Sequence, residues 1–441
     1  MISRNIIISM GLSLGLFIGF FGVPAIAQSP PAASQTISLT DAVNIALRNN
    51  PTIEAQQAIL GAAAARVGVA RSMMGLQVSA ASFVTTGSLP MIVPGSPGVN
   101  PQFITMTPDK GRLDGALMAM YPLYTGGRLS GQVNAAKSLQ QAQSGELAAS
   151  QLNVALATKT AYYQVLLANE FVNVFQERVA ESQERLRVAE EAFKEGRIAR
   201  YDLLRNQTDL AESQEQLNNS LRDVDMALAD LKNVLGAPQS ASYTLSGNLA
   251  IAPVNQNEAQ LQAMALRQRP EVRAAQSRVL AAQSDVSVSR SAYKPQVYAT
   301  AMGEGMATGS GTDAGYMVGV TAALPVFDNG LRKSTVDEAQ ANLKQAQAQE
   351  RDIILSVGKD VSTSLARLQA AEKNVDLAKA AVTQAEEDYR VIKLRYEAGK
   401  AINVEVLDAL ASLTRARTQY ANALYNYDVA SADLLRATGQ K

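Results

Sequence analysis

The chain contains no cysteine, no histidine and no tryptophan among its 441 residues. Without cysteine it can form no disulfide and carry no lipid attached through an N-terminal cysteine. Without histidine and cysteine, the usual nucleophile–base pairs and zinc sites are excluded. The charge is balanced, with 40 Lys and Arg against 40 Asp and Glu, so no basic surface for nucleic acid is indicated. We therefore expect a protein that is not an enzyme, uses no cofactor and binds no nucleic acid.

Long apolar runs are also rare, and the first residues contain the clearest one. Arg4 precedes the apolar residues 6–21, and Pro24–Ala27 follows with small residues at a cleavage site. This pattern predicts a secretory signal peptide over residues 1–27, and a membrane anchor helix is the alternative. After residue 27 no apolar segment approaches the roughly 20 residues of a spanning helix. The mature protein is expected to be exported.

What the sequence does contain is an internal repeat. Corresponding positions share one offset of 203 residues: Pro122 and Pro325, Gly196 and Gly399, Gly236 and Gly439. The contexts correspond as well, since Phe-Lys-Glu-Gly-Arg around the first glycine returns as Tyr-Glu-Ala-Gly-Lys. An offset kept without a gap predicts one duplicated structural unit, with repeats at 28–245 and 246–441. Each repeat is expected to run helix, strand, strand, long helix, turn, helix.

The repeats are expected to be mainly α-helical. Residues 129–236 and 331–437 predict two long helical hairpins, and a first helix of about 65 residues would be roughly 100 Å long. Val375, Tyr389 and Tyr396 belong to a heptad seam, which is typical of rods packed against other helices. Pro51 and Pro270 fit the first turn of shorter helices. Acidic runs on the long helices, such as Glu190–Glu191 and Glu386–Asp388, are expected to be solvated faces rather than catalytic pairs.

Four segments are predicted as strands: about 76–88, 112–124, 296–308 and 314–327. The Pro-rich residues between the first two predict a loop, and residues 309–314 predict a tight turn. The strand lengths suit membrane strands, with aromatics such as Tyr121, Tyr298 and Tyr316 near the membrane surfaces. Hairpins of a soluble sheet are the alternative. Because a barrel needs about eight strands, several chains would have to share one.

The hairpin tips contain the candidate functional residues. Gly196 and Gly399 are expected to end the long helices as left-handed residues, and an acid follows each by six residues, at Asp202 and Glu405. Asp408 lies about one helical turn beyond Glu405, so these two share a face near a helix N-terminus. In a symmetric oligomer they would form two stacked acidic rings. First-turn acids that only stabilise the helix start are the alternative.

The combined pattern resembles the TolC-like outer-membrane efflux and secretion channels over essentially the whole mature chain. Besides the repeat, three motifs carry the resemblance: Leu-x-x-Ala-x-x-x-Ala-Leu-x-x-Asn-Pro at 39–51, Arg-x-x-Tyr-x-Pro at 290–295, and Tyr-x-x-Gly followed by Val-Glu-Val-Leu-Asp at 396–408. The resemblance implies a mainly α fold with a small membrane β-barrel part. In the implied homotrimer, four strands from each chain form a twelve-stranded barrel on a long α-helical tunnel.

The resemblance also implies a function. The chain would be the passive outer-membrane channel of a tripartite efflux pump or a type I secretion system. Its periplasmic tips would close like an iris and meet a periplasmic adaptor and an inner-membrane transporter, which supplies the energy. A periplasmic coiled-coil adaptor or scaffold without a pore is the alternative, although adaptors have more strands. The pattern identifies neither the cargo nor the adaptor.

Family gate residues carry over position by position. The gate tyrosine matches Tyr396, the acid of the first tip matches Asp202, and the acidic ring of the second tip matches Glu405 and Asp408. The residues that the resemblance assigns to adaptor contact lie at the two tips: Gly196, Arg197, Gly399 and Lys400.

This chain departs from the family pattern at one gate position. Ala401 stands where relatives can have an arginine, two residues after the second tip glycine. Lys400, Arg197 and Arg200 are the candidates for its pairing role. The closing network is therefore expected to differ in detail.

Overall fold

The computed structural model describes residues 35–85, 89–93, 102–106, 112–251, 257–308 and 311–441. The predicted signal peptide lies outside these residues. The helices are α1 (Leu39–Asn49), α2 (Pro51–Ser72), α3 (Arg128–Lys194), α4 (Arg200–Leu235), α5 (Glu258–Gln268), α6 (Pro270–Arg290), α7 (Leu331–Glu397) and α8 (Asn403–Ala437). The strands are β1 (Gln35–Ile37), β2 (Gln77–Thr85), β3 (Leu89–Val93), β4 (Gln102–Met106), β5 (Arg112–Tyr124), β6 (Tyr243–Leu245), β7 (Gln296–Thr308) and β8 (Gly311–Ala323).

Two long hairpins dominate the fold. Helices α3 and α7 are each 67 residues long, hence about 100 Å, and they turn back into α4 and α8 of 36 and 35 residues. We call α3–α4 the first hairpin and α7–α8 the second hairpin. Helix α2 packs on α3, and α6 packs against both α3 and α7. Among the described helices, none combines the length and the apolar composition needed to cross a membrane.

The hydrophobic core repeats with the same offset as the sequence. Val154 and Val165 of α3 are 8% and 1% exposed and pack in a cluster with α1 and α4. Val357 and Leu368 of α7, 203 residues later, are 2% and 0% exposed and pack with α5 and α8. Each such buried side chain contributes about 1.5–3 kcal/mol. The two copies of the predicted unit thus bury corresponding seam positions.

Proline and glycine mark corresponding corners of the two copies. Helices α2 and α6 begin at Pro51 and Pro270, where the missing N–H is harmless, as predicted. Gly236, just after α4, has φ +67°, and a Cβ there would lie 2.4 Å from the carbonyl oxygen of Asn49. Gly439, after α8, also has a positive φ, +83°. A side chain would be strained at both glycines and would collide with the corner between α1 and α2 at the first.

The strands differ from the prediction in several bounds. Strand β8 covers 311–314, predicted as a turn, and ends at Ala323 before Pro325, which has no N–H for the ladder. The Pro-rich segment predicted as a loop contains the antiparallel pair β3–β4. Residues 86–88, at the end of the first predicted strand, lie outside the described residues. The short parallel pair β1–β6 was not predicted.

The sheet β2-β5-β7-β8 is antiparallel, and its central pair β5–β7 joins the two repeats. Because side chains alternate along a strand, the register defines two faces. The apolar face includes these side chains: Val78, Val84, Leu117, Tyr121, Tyr316, Val318 and Val320. The methionine face includes these: Asp114, Met118, Met120, Met302, Glu304, Met306, Asp313 and Met317. The predicted surface aromatics Tyr121 and Tyr316 share the apolar face, but Tyr298 lies on the opposite face.

Asp428 of α8 is a buried carboxylate in the helical part, 8% exposed. Its Oδ2 accepts a hydrogen bond from the Ala250 amide at 3.3 Å. Burial raises the pKa of Asp428 to about 6. The nearby phenols are Tyr163 of α3 and Tyr427 of α8, and burial, followed by the Asp428 charge, raises the Tyr163 pKa to about 12. The carboxylate is therefore costly to ionise in the folded chain.

We expect Asp428→Asn to stabilise the protein at pH 8 and to have little effect near pH 4. Because the folded-state pKa exceeds the ordinary 3.8, the unfolded chain releases this proton first, so stability falls as pH rises from about 4 to about 6. The expected gain at pH 8 is about 1–3 kcal/mol, measured by thermal unfolding with circular dichroism in detergent. Asp376→Asn, at an exposed site on α7, is the control. An equal gain at both pH values would contradict this account.

Candidate functional site

The two hairpin tips close with the same backbone turn. Gly196 has φ +71° and Gly399 has φ +69°. The amides of Arg197 and Lys400 each donate to a carbonyl five residues earlier, both at 2.8 Å. This pattern places a left-handed residue just past each helix end, which favours glycine. The predicted glycine caps are confirmed, and adaptor contact at these residues stays a prediction.

The predicted acids follow these turns at the starts of α4 and α8. Asp202 and Glu405 are the acids in the first turns of these helices. Neither helix has a side-chain N-cap hydrogen bond, so these first-turn acids are the side chains that favour the positive end of each helix dipole. Glu405 and Asp408 are exposed, whereas Val406 and Ala409 between and beside them are buried against α7. Asp202 is partly buried. The exposed pair therefore lies on the side of α8 away from α7, where it faces solvent.

Tyr396 and Asp202 approach each other across the two hairpins. Tyr396 of α7 is half-buried, and burial raises its pKa, with the negative charge of Asp202 on α4 as the next cause. The positive charges of Arg185 and Arg197 act in the opposite direction. Of the three candidates to replace the arginine missing at Ala401, Arg197 is thus the one whose charge reaches Tyr396. Arg197 also forms an ion pair with Glu195 at its own tip.

A polar contact joins the hairpins about 20 Å from the first tip. The Tyr389 hydroxyl of α7 donates to the Glu181 carboxylate of α3 at 2.7 Å. The Lys393 ammonium lies 3.4 Å from the same carboxylate and 5.7 Å from the centre of the Tyr389 ring. Burial, and then the hydrogen bond to Glu181, raise the Tyr389 pKa, so the hydroxyl keeps the proton that it donates. Glu181 is thereby held by two groups of the second hairpin.

A second contact lies one turn further from the tip. Arg417 of α8 pairs with Glu177 of α3 and, at 3.0 Å, with Glu386 of α7. These groups border a crevice of about 550 Å³ between α3, α7 and α8. We call the Glu181 and Glu177 contacts the cross-hairpin contacts. They connect α3 to both helices of the second hairpin.

The first hairpin has a buried charged cluster of its own. Arg178 and Arg185 of α3 both pair with Asp209 of α4, and the Ser182 hydroxyl donates to the same carboxylate at 2.7 Å. The three charged side chains are only 10–11% exposed. Burial lowers the pKa of Arg178, and the Asp209 charge opposes this effect. Two cations share one anion, so the carboxylate is essential to the cluster.

Sequence reasoning did not single out these contacts. Glu177, Glu181 and Glu184 recur at four and three residues, which places them on one face of α3. That spacing was the available signal for a functional face. It does not reveal the partner, because Tyr389 and Arg417 are more than 200 residues away in sequence. The acids that the sequence predicts to be solvated, Glu190–Glu191 and Glu386–Asp388, are exposed, and Glu386 among them also pairs with Arg417.

Similar proteins are known in several bacteria. The chain is 24% identical over 322 residues to the outer membrane efflux protein BepC of Brucella suis, covering 72% of this chain and 70% of that protein. It is 24% identical over 323 residues to the pyoverdine export outer membrane protein OpmQ of Pseudomonas aeruginosa, covering 70% and 68%. The crystal structure of the Campylobacter jejuni CmeC outer membrane channel has the same fold, with a TM-score of 0.75 at 20% identity over 91% of this chain and 85% of CmeC.

The family assignment rests on both repeats. A sequence model of the outer membrane efflux proteins matches residues 42–237 and 261–440. These two segments contain both long hairpins, the sheet strands β2, β5, β7 and β8, and every candidate gate residue. The chain belongs to the outer membrane efflux protein family.

Proposed function

We propose that this chain is the outer-membrane channel of an export system, with a gate formed by its two hairpins. Family membership and the similarity to outer-membrane export proteins support a channel over a scaffold without a pore. The main support for a gate is the pair of cross-hairpin contacts, because they hold the second hairpin against the first near the tips. The channel is passive, and the chain is not an enzyme.

The sheet supplies the membrane part of the proposed duct. Strands β2 and β8 are its outer strands, and a free strand edge tends to pair with another chain. Three copies, the number that the family resemblance implies, would join β8 of one to β2 of the next and surround a duct with twelve strands. The apolar face then meets lipid, and the methionine face lines the duct. The long hairpins extend from the sheet into the periplasm.

Opening requires the second hairpin to move away from the first. The cross-hairpin contacts oppose that movement and thereby favour the closed state. An inner-membrane transporter supplies the energy through a periplasmic adaptor that binds the tips at Gly196, Arg197, Gly399 and Lys400. Tyr396 and Asp202, the gate residues that the resemblance assigns to the tips, are proposed to complete the gate there.

Glu405 and Asp408 are proposed to form acidic rings at the inner mouth. We expect Glu405→Gln with Asp408→Asn to lower cation selectivity and to weaken block by a multivalent cation by about tenfold or more, because a ring of carboxylates concentrates cations. Single-channel recording in planar bilayers measures both. Glu387→Gln with Asp388→Asn makes the same chemical changes at exposed sites on α7 and is the control. Unchanged selectivity and block in the first variant would leave these acids as helix-start residues only.

A further inference from the structure

Three methionines lie side by side across the sheet. In the strand register Met118 of β5 is opposite Met302 of β7, and Met302 is opposite Met317 of β8. Directly opposed residues have Cβ atoms about 4.5–5.5 Å apart. A methionine side chain has three rotatable bonds, so neighbouring thioether sulfurs can turn towards one point. We call these residues the methionine row.

The row belongs to a face that collects every methionine and every acidic residue of β5, β7 and β8. Met120 and Met306 share it, as do Asp114, Glu304 and Asp313. In those strands the apolar face has Ala, Gly, Leu, Val, Tyr and one Thr, without methionine. Packing against lipid therefore does not explain where the methionines are, since they avoid the face that lipid would cover.

The described surface leaves these thioethers accessible. Met118 is 42% exposed and Met317 is 58% exposed. Met302, Met306 and Met317 border a depression of about 420 Å³ together with the carboxylates of Glu304 and Asp313. Soft ligand atoms and negative charge thus face the same space. A hydrophobic lining for apolar cargo would need no carboxylates, and leucine would form such a lining as well as methionine does.

Other metal ligands do not compete with the row. The chain has no cysteine and no histidine. Within the described residues, no three acidic side chains come together in a way that could hold a metal ion. Thioethers select soft cations such as Cu(I), whereas carboxylates suit hard ones, and a nearby negative charge attracts either.

We propose that the methionine row binds a soft monovalent cation, Cu(I) or Ag(I), and that such cations are cargo of this channel. Binding follows from the ligands alone. Their role as cargo rests on the proposed function, because only a duct lined by the methionine face brings a transported ion past the row. The carboxylates of Glu304 and Asp313 raise the local cation concentration, and the thioethers discriminate among the ions that arrive.

Equilibrium dialysis of the full-length protein in detergent against Ag(I), in a medium without chloride or thiols, tests the site. The absence of cysteine and histidine removes the usual competing ligands. We expect saturable Ag(I) binding that excess Zn(II) does not displace. Replacing all three row residues, Met118→Leu, Met302→Leu and Met317→Leu, is expected to weaken it by about 10- to 100-fold. Leucine keeps the volume and removes the sulfur.

The control replaces three exposed methionines outside the sheet, with Met73→Leu, Met74→Leu and Met226→Leu. It is expected to bind Ag(I) like the wild type. Equal affinity in the two triple variants, or wild-type binding that Zn(II) displaces, would overturn the proposal. If the triple variant fails to fold, the single variant Met302→Leu, at the centre of the row, is compared with the wild type instead, and unchanged Ag(I) affinity would overturn the proposal.

Dialysis needs no open pore, so it tests Ag(I) binding independently of whether the protein conducts ions. A protein that conducts potassium but does not bind Ag(I) refutes the methionine site and leaves the channel intact. A protein that binds Ag(I) through the row but conducts nothing, even without its cross-hairpin contacts, refutes the cargo role together with the proposed function.

Discussion

Asp209→Asn is expected to lower the free energy of unfolding by about 3–5 kcal/mol. The carboxylate is the shared partner of two buried guanidinium groups, and it also accepts a hydrogen bond from the Ser182 hydroxyl. Three guanidinium nitrogens of Arg178 and Arg185 already have no hydrogen-bond partner in the described part of the chain. Removing the negative charge leaves two buried cations facing each other. Thermal and denaturant unfolding followed by circular dichroism in detergent measure the loss.

A control is available on the same helix. Asp223→Asn makes the same change where the carboxylate pairs with Arg222 on the surface, with side chains 48% and 61% exposed. Such exposed pairs contribute about 0.2–1 kcal/mol, so the expected loss there is small. Arg185→Met should also cost less than Asp209→Asn, because it leaves a neutral pair of Arg178 and Asp209. Equal losses at Asp209 and Asp223 would contradict the buried cluster as a main support of the first hairpin.

Glu177→Ala with Glu181→Ala is expected to raise the open probability of the channel by about tenfold or more. The double variant removes the acceptor of Tyr389 and Lys393 and the partner of Arg417. A hydrogen bond to a charged group contributes about 1.5–3 kcal/mol and an exposed ion pair somewhat less, and about 1.4 kcal/mol changes an equilibrium tenfold. Single-channel recording at fixed voltage measures the open probability directly.

The matched control is Glu190→Ala with Glu191→Ala. It removes two carboxylates from the same helix at exposed positions, and Glu191 pairs with Arg187 of α3 itself. We expect its open probability to equal that of the wild type. If both double variants open the channel equally, the effect is one of charge on α3, and the cross-hairpin contacts are not the closing element.

Features set by local backbone chemistry were predictable from the sequence. The helix ends at Gly196 and Gly399 and the helix starts at Pro51 and Pro270 depend on φ and on a missing N–H, which single residues reveal. The internal repeat was visible because the two copies bury corresponding seam positions. The shared face of Glu405 and Asp408 followed from helical periodicity alone.

Features set by partners distant in sequence were not predictable. Arg178, Arg185 and Asp209 resemble ordinary surface charges until α3 and α4 are packed together. The side of the sheet on which Tyr298 lies depends on the strand register, which neighbouring strands determine. There its hydroxyl accepts a hydrogen bond from Arg128 at 2.9 Å. Tyr298 therefore does not share a face with Tyr121 and Tyr316, and its place at a membrane surface stays a prediction.

The most direct test of the gated duct is single-channel recording in planar bilayers, comparing the wild type with Glu177→Ala/Glu181→Ala. Our account predicts rare, discrete, cation-selective openings in the wild type, blocked from one side by a multivalent cation, and frequent openings of the same conductance in the variant. No current from either protein, when both are folded in detergent by circular dichroism, would contradict a duct that the cross-hairpin contacts hold closed.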